Sequence, residues 1–445
     1  MKTKTIIAAM MAASVTFSMT ASADTIEYVD GSNRTWYYTT NGDGANTVTL
    51  GRGGTDDSKN YAVSRDIVVD AADIPWTFTK DGVSYTVTQI ADRAFGANSG
   101  NKNNNLTGTL TIPNSVTYIG DSAFSQCNGL TRLASLGGVT SFGTYVFNTC
   151  ANMEGDISDL TRVTSFGIGD FQYCDKLGGN IALNPSLTGI PNRLFIRVKG
   201  IESITIPRSV TSVGQYPFQS TTFPGFLVPG PLSSGTTTVD MKKLFTQSSL
   251  RVFFAGSNTK GKNHTDSANA FLSSGSTCKV FVPNNGNWAG LVTGSDKAEV
   301  IYYGAGASVD FAIDTDAKRI TATPTTVESL TNVLSWAALF RDCLGYKTTV
   351  AITNRIEVAE EVEITESMLQ NVTLEAPAWY LTFQVANQEQ LRHVLEAVPV
   401  NIPIIVELTG LNHPITVPDG REVAILARSN MTFDKKRVGL IISFH

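Results

Sequence analysis

A nine-residue frame that recurs six times is the feature that most constrains how this chain can fold. Each copy has an apolar residue at positions one and four, Thr at position two and Phe at position nine. The copies are VTQIADRAF at 87–95, VTYIGDSAF at 116–124, VTSFGTYVF at 139–147, VTSFGIGDF at 163–171, LTGIPNRLF at 187–195 and VTSVGQYPF at 210–218. Their starts are 29, 23, 24, 24 and 23 residues apart. A period of this length predicts a repeat architecture in which each unit stacks on the next.

Equivalent residues of stacked units should form continuous rows, because one coil of this length cannot bury an apolar side alone. The frame therefore predicts apolar rows at positions one, four and nine, the last being a row of Phe. Glycine at position five predicts a corner where the chain turns sharply. These glycines are Gly120, Gly143, Gly167 and Gly214. Threonine at position two predicts a ladder of hydroxyl groups that serves the fold.

Short β-like runs precede the frame, clearest at 110–113 (LTIP) and 204–207 (ITIP). They alternate apolar and small polar residues, as strands with one buried face do, and Pro then ends the strand. Counting back from each frame predicts two outward-facing rows on a regular sheet. The first row is Thr109, Arg132, Asp156, Asn180 and Ser203, and the second is Thr111, Ala134, Ser158, Ala182 and Thr205. The small second row lets a partner's backbone or a sugar approach closely; equally, small residues are what a tightly curved face tolerates.

The segments LTIPNSVTYIGDSAFSQCNGL (110–130) and ITIPRSVTSVGQYPF (204–218) resemble the BspA-like leucine-rich repeats of bacterial surface proteins. The resemblance covers about residues 83–220, and weaker continuations at 226–229 and 278–283 extend the predicted solenoid, with a cap, to 304. It implies a right-handed solenoid with a parallel sheet along one side. Members of that family are mostly implicated in adhesion and protein binding.

Two segments before the repeats carry separate predictions. Lys2 and Lys4 precede an apolar run over 6–17, and the small residues at 21–23 favour cleavage before Asp24, so residues 1–23 are predicted to be a signal peptide. Residues 24–82 contain WYY at 36–38, a turn at 41–44 and TVTL at 47–50, which together indicate a hairpin. A β cap over the first coil is the simplest role for 24–82, because solenoids expose apolar core at their ends.

Residues 305–445 lack the frame and are predicted to form a separate β-rich region. Two segments resemble each other loosely, one running from 330 to 358 and the other from 391 to 417, and each reads as a short helix followed by strands. Two architectures remain open for this region. It is either a small α+β domain or part of a β-helix-like fold.

Cysteine and charge indicate few chemical functions. Cys127, Cys150 and Cys174 each follow a repeat Phe by three residues, which favours buried free thiols in one row over partial disulfide bonding. The five cysteines and four histidines form no metal-ligand spacing, no nucleophile or phosphate-binding motif stands out, and no cofactor is predicted. Lys and Arg total 34 against 39 Asp and Glu, and no stretch is expected to concentrate basic residues as a phosphate-tracking surface requires. Nucleic acid is therefore not a predicted partner.

These observations predict an exported, mainly β protein with short helical segments. Its expected role is recognition of a protein on a host, a neighbouring cell or the matrix, through the solenoid and without catalysis. No run approaches the length of a membrane span. The alternative is a carbohydrate-binding or polysaccharide-degrading protein whose 305–445 region belongs to a β-helix.

Overall fold

The protein is a β-solenoid of about 11 turns. The computed structural model describes residues 24–52, 61–64, 66–96, 105–232, 235–245, 249–262, 277–288, 298–354, 356–358, 368, 371–375, 381–398, 404–408, 423–427 and 440–444. The predicted signal peptide at 1–23 lies outside these residues. Within them, no helix is long and apolar enough to cross a bilayer.

The amino-terminal segment builds a small antiparallel sheet that continues into the first coil. The strands of this sheet in the segment are β1 (Thr25–Val29), β2 (Thr35–Thr40), β3 (Thr47–Leu50), β5 (Thr77–Lys80) and β6 (Val83–Ile90). A further strand, β4 (Val69–Asp70), lies outside this sheet and is followed by a 3-10 helix at Ala71–Asp73. Strands β2 and β3 form the hairpin that the sequence indicates, and β3 then pairs in parallel with β6. Trp36 and Tyr38 of β2 are fully buried in the core that the coils share. The hairpin thereby covers the end of the stack.

The coils that follow contribute two sets of parallel strands. In chain order these are β7 (Leu106–Thr111), β8 (Tyr118–Ile119), β9 (Leu130–Ser135), β10 (Ser141–Phe142), β11 (Gly155–Asp156), β12 (Asp159–Leu160), β13 (Leu177–Leu183), β14 (Gly189–Ile190), β15 (Gly200–Thr205), β16 (Ser212–Val213), β17 (Gly225–Val228), β18 (Thr237–Asp240), β19 (Val252–Ala255), β20 (Thr259–Lys262), β21 (Cys278–Pro283) and β22 (Ala298–Tyr303). The frame itself supplies β6, β8, β10, β14, β16 and, after the last copy, β18 and β20. The runs upstream of the frame supply the second set, which ends with β17, β19, β21 and β22 in parallel register.

The predicted row of Phe is present and continuous. The ring centroids of Phe95 and Phe124 are 5.3 Å apart, and every later pair of successive repeat Phe residues is likewise stacked, up to the 6.1 Å between Phe195 and Phe218. Phe245 extends the row by one ring, 5.8 Å from Phe218. All the rings from Phe124 to Phe245 are fully buried, so this row is the spine of the solenoid core.

The position-five glycines are required for a different reason from the one predicted. None of them has a left-handed backbone, so a sharp turn does not explain them. A Cβ on Gly167 would instead lie 1.6 Å from the carbonyl oxygen of Gly143 in the preceding coil. The left-handed residue comes two positions later and is usually not glycine. These residues are Arg93, Ser122, Tyr145, Gly169, Arg193 and Tyr216.

Hydroxyl and thiol groups bind each coil to the one before it. The Thr140 hydroxyl donates to the Thr117 carbonyl at 3.1 Å, and the Thr164 hydroxyl donates to the Thr140 carbonyl at the same distance. The Cys150 thiol donates to the Phe124 carbonyl at 3.0 Å, and Cys127 and Cys174 make the equivalent bond to their own preceding coils. All three cysteines are free and fully buried.

The carboxy-terminal region has a helix followed by strands at both predicted segments. Its elements are β23 (Val309–Asp314), β24 (Arg319–Pro324), α1 (Val327–Leu339), a π-helical turn (Phe340–Leu344), β25 (Lys347–Ala351), β26 (Ile356–Val358), β27 (Val372–Glu375), β28 (Leu381–Val385), α2 (Gln388–Ala397), β29 (Ile404–Leu408), β30 (Val423–Ala427) and β31 (Leu440–Phe444). Strands β24, β25 and β27 are parallel, as are β26, β28, β29, β30 and β31. Residues 415–417, the last strand of the second predicted segment, lie outside the described residues.

This region is not separate from the solenoid. One apolar cluster joins Phe254 and Phe281 of the coils to Trp336 and Phe340. The Phe281 ring lies 5.0 Å from each of those two rings, in edge-on contacts. The Arg208 guanidinium also donates to the carbonyl of Ile313 and to the Thr315 hydroxyl. The predicted boundary near 304 therefore runs through a shared core.

Candidate functional site

The ten predicted site residues lie on the upstream strands β7, β9, β11, β13 and β15 or directly beside them. We call the outward side of these strands the strand face. Seven of the ten residues are exposed and three are half-buried. The exposed ones are Thr111, Arg132, Ala134, Asp156, Asn180, Ala182 and Thr205; the half-buried ones are Thr109, Ser158 and Ser203. All ten side chains therefore reach solvent along one side of the coils.

The strand register agrees with the two predicted rows at some rungs and departs from it at others. Thr109 pairs with Arg132, Asn180 with Ser203, and Ala182 with Thr205, as predicted. In contrast, Thr111 pairs with Ser135 and not with Ala134. Arg132 bridges to Glu154, and Asp156 pairs with Gly178. The prediction of two uninterrupted rows is therefore wrong between residues 111 and 180.

Irregular pairing explains the shift. The register changes between Gly108 and Thr109, again between Leu110 and Thr111, and between Gly179 and Asn180. Each extra residue in one strand moves the side chains that follow to a new partner. Gly179 has a φ of 114°, and a Cβ there would lie 2.4 Å from the Asp156 carboxylate, so the Asp156 side chain occupies that space. The Gly178-Gly179 pair is the sequence signal that marks this site.

Polar side chains cross-link neighbouring coils on the strand face. The Asn180 side-chain amide nitrogen donates to the Glu202 carboxylate at 2.8 Å, and the Ser203 hydroxyl donates to the side-chain amide oxygen (Oδ1) of Asn180 at 2.7 Å. The Lys176 ammonium lies 3.1 Å from the Glu154 carboxylate, with both side chains mostly exposed. Glu154 and Glu202 were not predicted to belong to the face, because fixed counting from the frame ignored the irregular rungs. The strand face therefore presents charged and uncharged polar groups that contacts between coils hold in place.

The strand face ends where the carboxy-terminal region covers the later coils. Every residue of β17 and of β19 is buried. The outward residues Leu227, Phe254 and Phe281 belong to the apolar cluster shared with α1. The upstream strands of the coils from about residue 106 to 205, in contrast, keep one side open. The sequence signal for this burial is the run of apolar residues at 252–255 (VFFA), because strands buried on both sides lose the alternation of apolar and polar residues.

No constellation in the described part of the chain points to catalysis. Within it, no group of three or more His, Cys, Asp or Glu side chains is arranged to hold a metal ion. A cavity of about 10 Å³ beside Val69 and Phe95 has room for about one water molecule. The feature that the described surface offers for binding is the extended strand face.

Comparison with known proteins identifies the repeat. The family model for the BspA type leucine rich repeat region matches residues 88–223 in 6 copies. No curated protein matches the chain. Among solved structures, a leucine rich cell surface protein from Faecalibacterium prausnitzii aligns with 17% identity and a TM-score of 0.38, over 93% of this chain and 91% of its own. A leucine-rich repeat protein from Bacteroides ovatus aligns with 16% identity and a TM-score of 0.33, over 76% of this chain and 97% of its own.

The family match and the stacked frame describe the same residues. The six frames span 87–218, the match spans 88–223, and the row of Phe rings runs through both. Residues 88–223 of this chain are therefore a BspA type leucine-rich repeat region.

Proposed function

We propose that this chain is an exported or cell-surface recognition protein that binds a protein partner through the strand face. The observation that carries the proposal is the exposure of the predicted site residues on one side of the coils, bounded by the cap at one end and by the covered strands at the other. Leucine-rich repeats of surface proteins are associated with protein interaction, which supports the same role. The partner is expected on a host cell, a neighbouring cell or the matrix.

The chemistry of the face suits a protein partner. Ala134, Ala182 and Thr205 are small and exposed, so another backbone can approach the sheet closely. Arg132, Glu154 and Glu202 supply charges of both signs around them. Charge complementarity of this kind sets partner choice and orientation more than raw affinity.

The test is a pair of substitutions on the face with a matched pair elsewhere. Ala134→Arg with Ala182→Arg places two long side chains where the partner must approach. Ser165→Arg with Ser212→Arg places the same side chains on the exposed side of the frame strands. We expect the first pair to abolish capture of a protein from host or co-resident cell extracts, and the second pair to leave the same protein bound.

The fold of both variants is checked by circular dichroism and thermal unfolding. Capture that survives the face variant, or that both variants lose equally, would move the site elsewhere. Capture of a glycan and not of a protein would favour the alternative role.

One observation favours that alternative, a carbohydrate-binding or polysaccharide-degrading protein. Strands β26, β28, β29, β30 and β31 pair in parallel, one after another, as the strands of a β-helix do. Its test is cleavage of polysaccharide substrates by the full chain, followed by loss of cleavage on changing single carboxylates after residue 305.

A further inference from the structure

Basic residues are concentrated in one part of the solenoid, contrary to the expectation from composition. Residues 187–262 contain nine Lys or Arg and only two Asp or Glu, a net charge of +7. The preceding coils, residues 87–186, contain five basic and seven acidic residues, a net charge of −2. The whole chain carries −5, so the positive charge of 187–262 stands against an acidic remainder. The net charge of the entire sequence conceals this basic segment, whereas the net charge of each coil reveals it.

Most of these cations lie along the side of the solenoid where the chain turns after the frame strand. We call this set the basic edge: Arg193, Arg197, Lys199, Lys242, Lys243 and Lys262. Backbone hydrogen bonds align its coils, since the Arg193 N–H donates to the Gln215 carbonyl and the Tyr216 N–H donates to the Lys242 carbonyl. The next rung repeats this pattern, with the Met241 N–H donating to the Lys262 carbonyl. The cations thus occupy three of four successive coils, and the coil between Arg193 and Lys242 carries Tyr216 in place of a cation.

Carboxylates neutralise only part of the basic edge. Arg197 and Lys199 share the Asp175 carboxylate, at 2.7 and 3.0 Å. Lys262 lies 3.6 Å from the Asp240 carboxylate. Arg193, Lys242 and Lys243 form no ion pair with any described residue. The other large cation of the segment, Arg208, is engaged by carbonyl oxygens of Gly230 and Ile313 and does not contribute.

A tyrosine holds two of the unpaired cations in line. The Arg193 guanidinium and the Lys242 ammonium each lie 5.9 Å from the centre of the Tyr216 ring. They belong to the coils before and after Tyr216, so both approach the ring from opposite neighbours. Cation–π attraction fixes side chains that would otherwise sample many rotamers. The core rings of the same three coils are 6.1 and 5.8 Å apart, and the two cations therefore belong to coils that are two rungs apart.

We propose that the basic edge is a binding site for a linear acidic polysaccharide. A chain of sugars with carboxylate or sulfate groups offers anions repeatedly along its length, so it can reach cations that lie in separate coils of the basic edge. Repeated weak contacts add along such a polymer, because each later contact forms at high effective concentration. This site is independent of the strand face and of the protein partner proposed for it.

Other anionic partners fit the edge less well. A single-stranded nucleic acid needs free aromatic faces on which bases stack, and both neighbouring coils already direct a cation at Tyr216. A membrane surface needs cations spread over an area, whereas these lie along one side of the solenoid. A protein interface is usually centred on a buried apolar or aromatic anchor. The large apolar side chains that the described residues expose are Val29, Val68, Ile168, Leu232 and Tyr302, and none belongs to the edge.

The test compares binding of the full chain to heparin, as the acidic polysaccharide, with binding to neutral dextran. The edge variant is Arg193→Gln with Lys242→Gln and Lys243→Gln. The matched control removes three exposed cations elsewhere, Arg162→Gln with Lys318→Gln and Lys347→Gln. We expect heparin binding that weakens with added salt, no binding to dextran, and a loss of at least about tenfold in affinity for the edge variant. The control variant should lose no more than about twofold, because distant charges are screened.

Three results would overturn the proposal. The first is binding to heparin that is no stronger than binding to dextran. The second is an equal loss of affinity in the two triple variants, which would indicate net charge alone. A single-stranded oligonucleotide or an anionic lipid vesicle that binds the edge more tightly than heparin would assign the site to a different partner. Circular dichroism of both variants separates loss of the site from loss of the fold.

Discussion

The strands before residue 206 and the strands after residue 224 belong to one stack but face different surroundings. Strands β7, β9, β13 and β15 bury one side against the core and leave the other in water. Strands β17, β19 and β21 have their outer side buried under the carboxy-terminal region, with Phe254 and Phe281 meeting Phe340 there. The same architecture therefore supplies a recognition surface in one half and a packing interface in the other.

The difference lies in the outward residues and not in the backbone. Outward positions of the first half are small or charged, as at Ala134, Asn180 and Thr205. In the second half they are large and apolar, as at Leu227 and Phe281. Burial of an apolar side chain of this size contributes roughly 1.5–3 kcal/mol to the free energy of unfolding. Packing of the carboxy-terminal region against the second half is therefore favourable, whereas the first half offers no such gain.

The largest expected effect comes from truncating the covered face. Phe281→Ala removes a ring packed between Trp336 and Phe340, and we expect a loss of about 3–5 kcal/mol in the free energy of unfolding. Thr205→Ala, on the exposed half, should change it by less than about 0.5 kcal/mol. Urea unfolding measures both. Similar losses of stability in the two variants would mean that the outward sides of the two halves are equally buried.

A second contrast concerns acids inside the coils. Asp170 is fully buried in the first half and accepts hydrogen bonds from the N–H groups of Gly167 and Val146. Asp240, in the second half, has the Lys262 ammonium beside it. Burial raises the pKa of Asp170 well above its ordinary value of 3.8, and the negative charge of Asp121 adds to the rise.

The folded chain therefore keeps a proton on Asp170 at pH values where the unfolded chain has released it. Its contribution to stability is present below pH 3.8 and is lost as the pH rises through the folded-state pKa. Asp170→Asn, which carries no titrating proton, should flatten this part of the stability profile above pH 3.8. Thermal unfolding across that range measures the slope. An unchanged slope in the variant would show that Asp170 ionises freely in the folded state.

The smallest expected effect concerns the hydroxyl ladder of the first half. Thr140→Val keeps the shape of the side chain and removes its hydrogen bond to the Thr117 carbonyl. We expect a loss of about 0.5–1.5 kcal/mol in the free energy of unfolding. Thr111→Val, on the open strand face, is the control and should stay within about 0.5 kcal/mol of the unchanged chain. Equal losses of unfolding free energy in the two variants would show that the hydroxyl ladder does not stabilise the contact between coils.

The rows of the core were predictable because one spacing fixes them. Phe124, Phe147 and Phe171 recur at the period of a coil, and a row follows from stacking alone. The strand face was predictable only in part, since Asp156 pairs with Gly178 and not with Asn180, by local geometry that no period encodes. The cover over Phe281 depends on residues such as Trp336 that lie far away in the sequence, and no local pattern specifies that pairing.

The bonds between coils have a consequence for how such a chain can change over generations. Each thiol and hydroxyl described above reaches only the preceding coil, as Cys174 reaches the Phe147 carbonyl. Duplication or deletion of one 24-residue unit in the first half would therefore preserve every contact type on both sides of the junction. The area available for recognition can thus grow or shrink by whole coils, while the amino-terminal hairpin and the coils under the carboxy-terminal region stay unchanged.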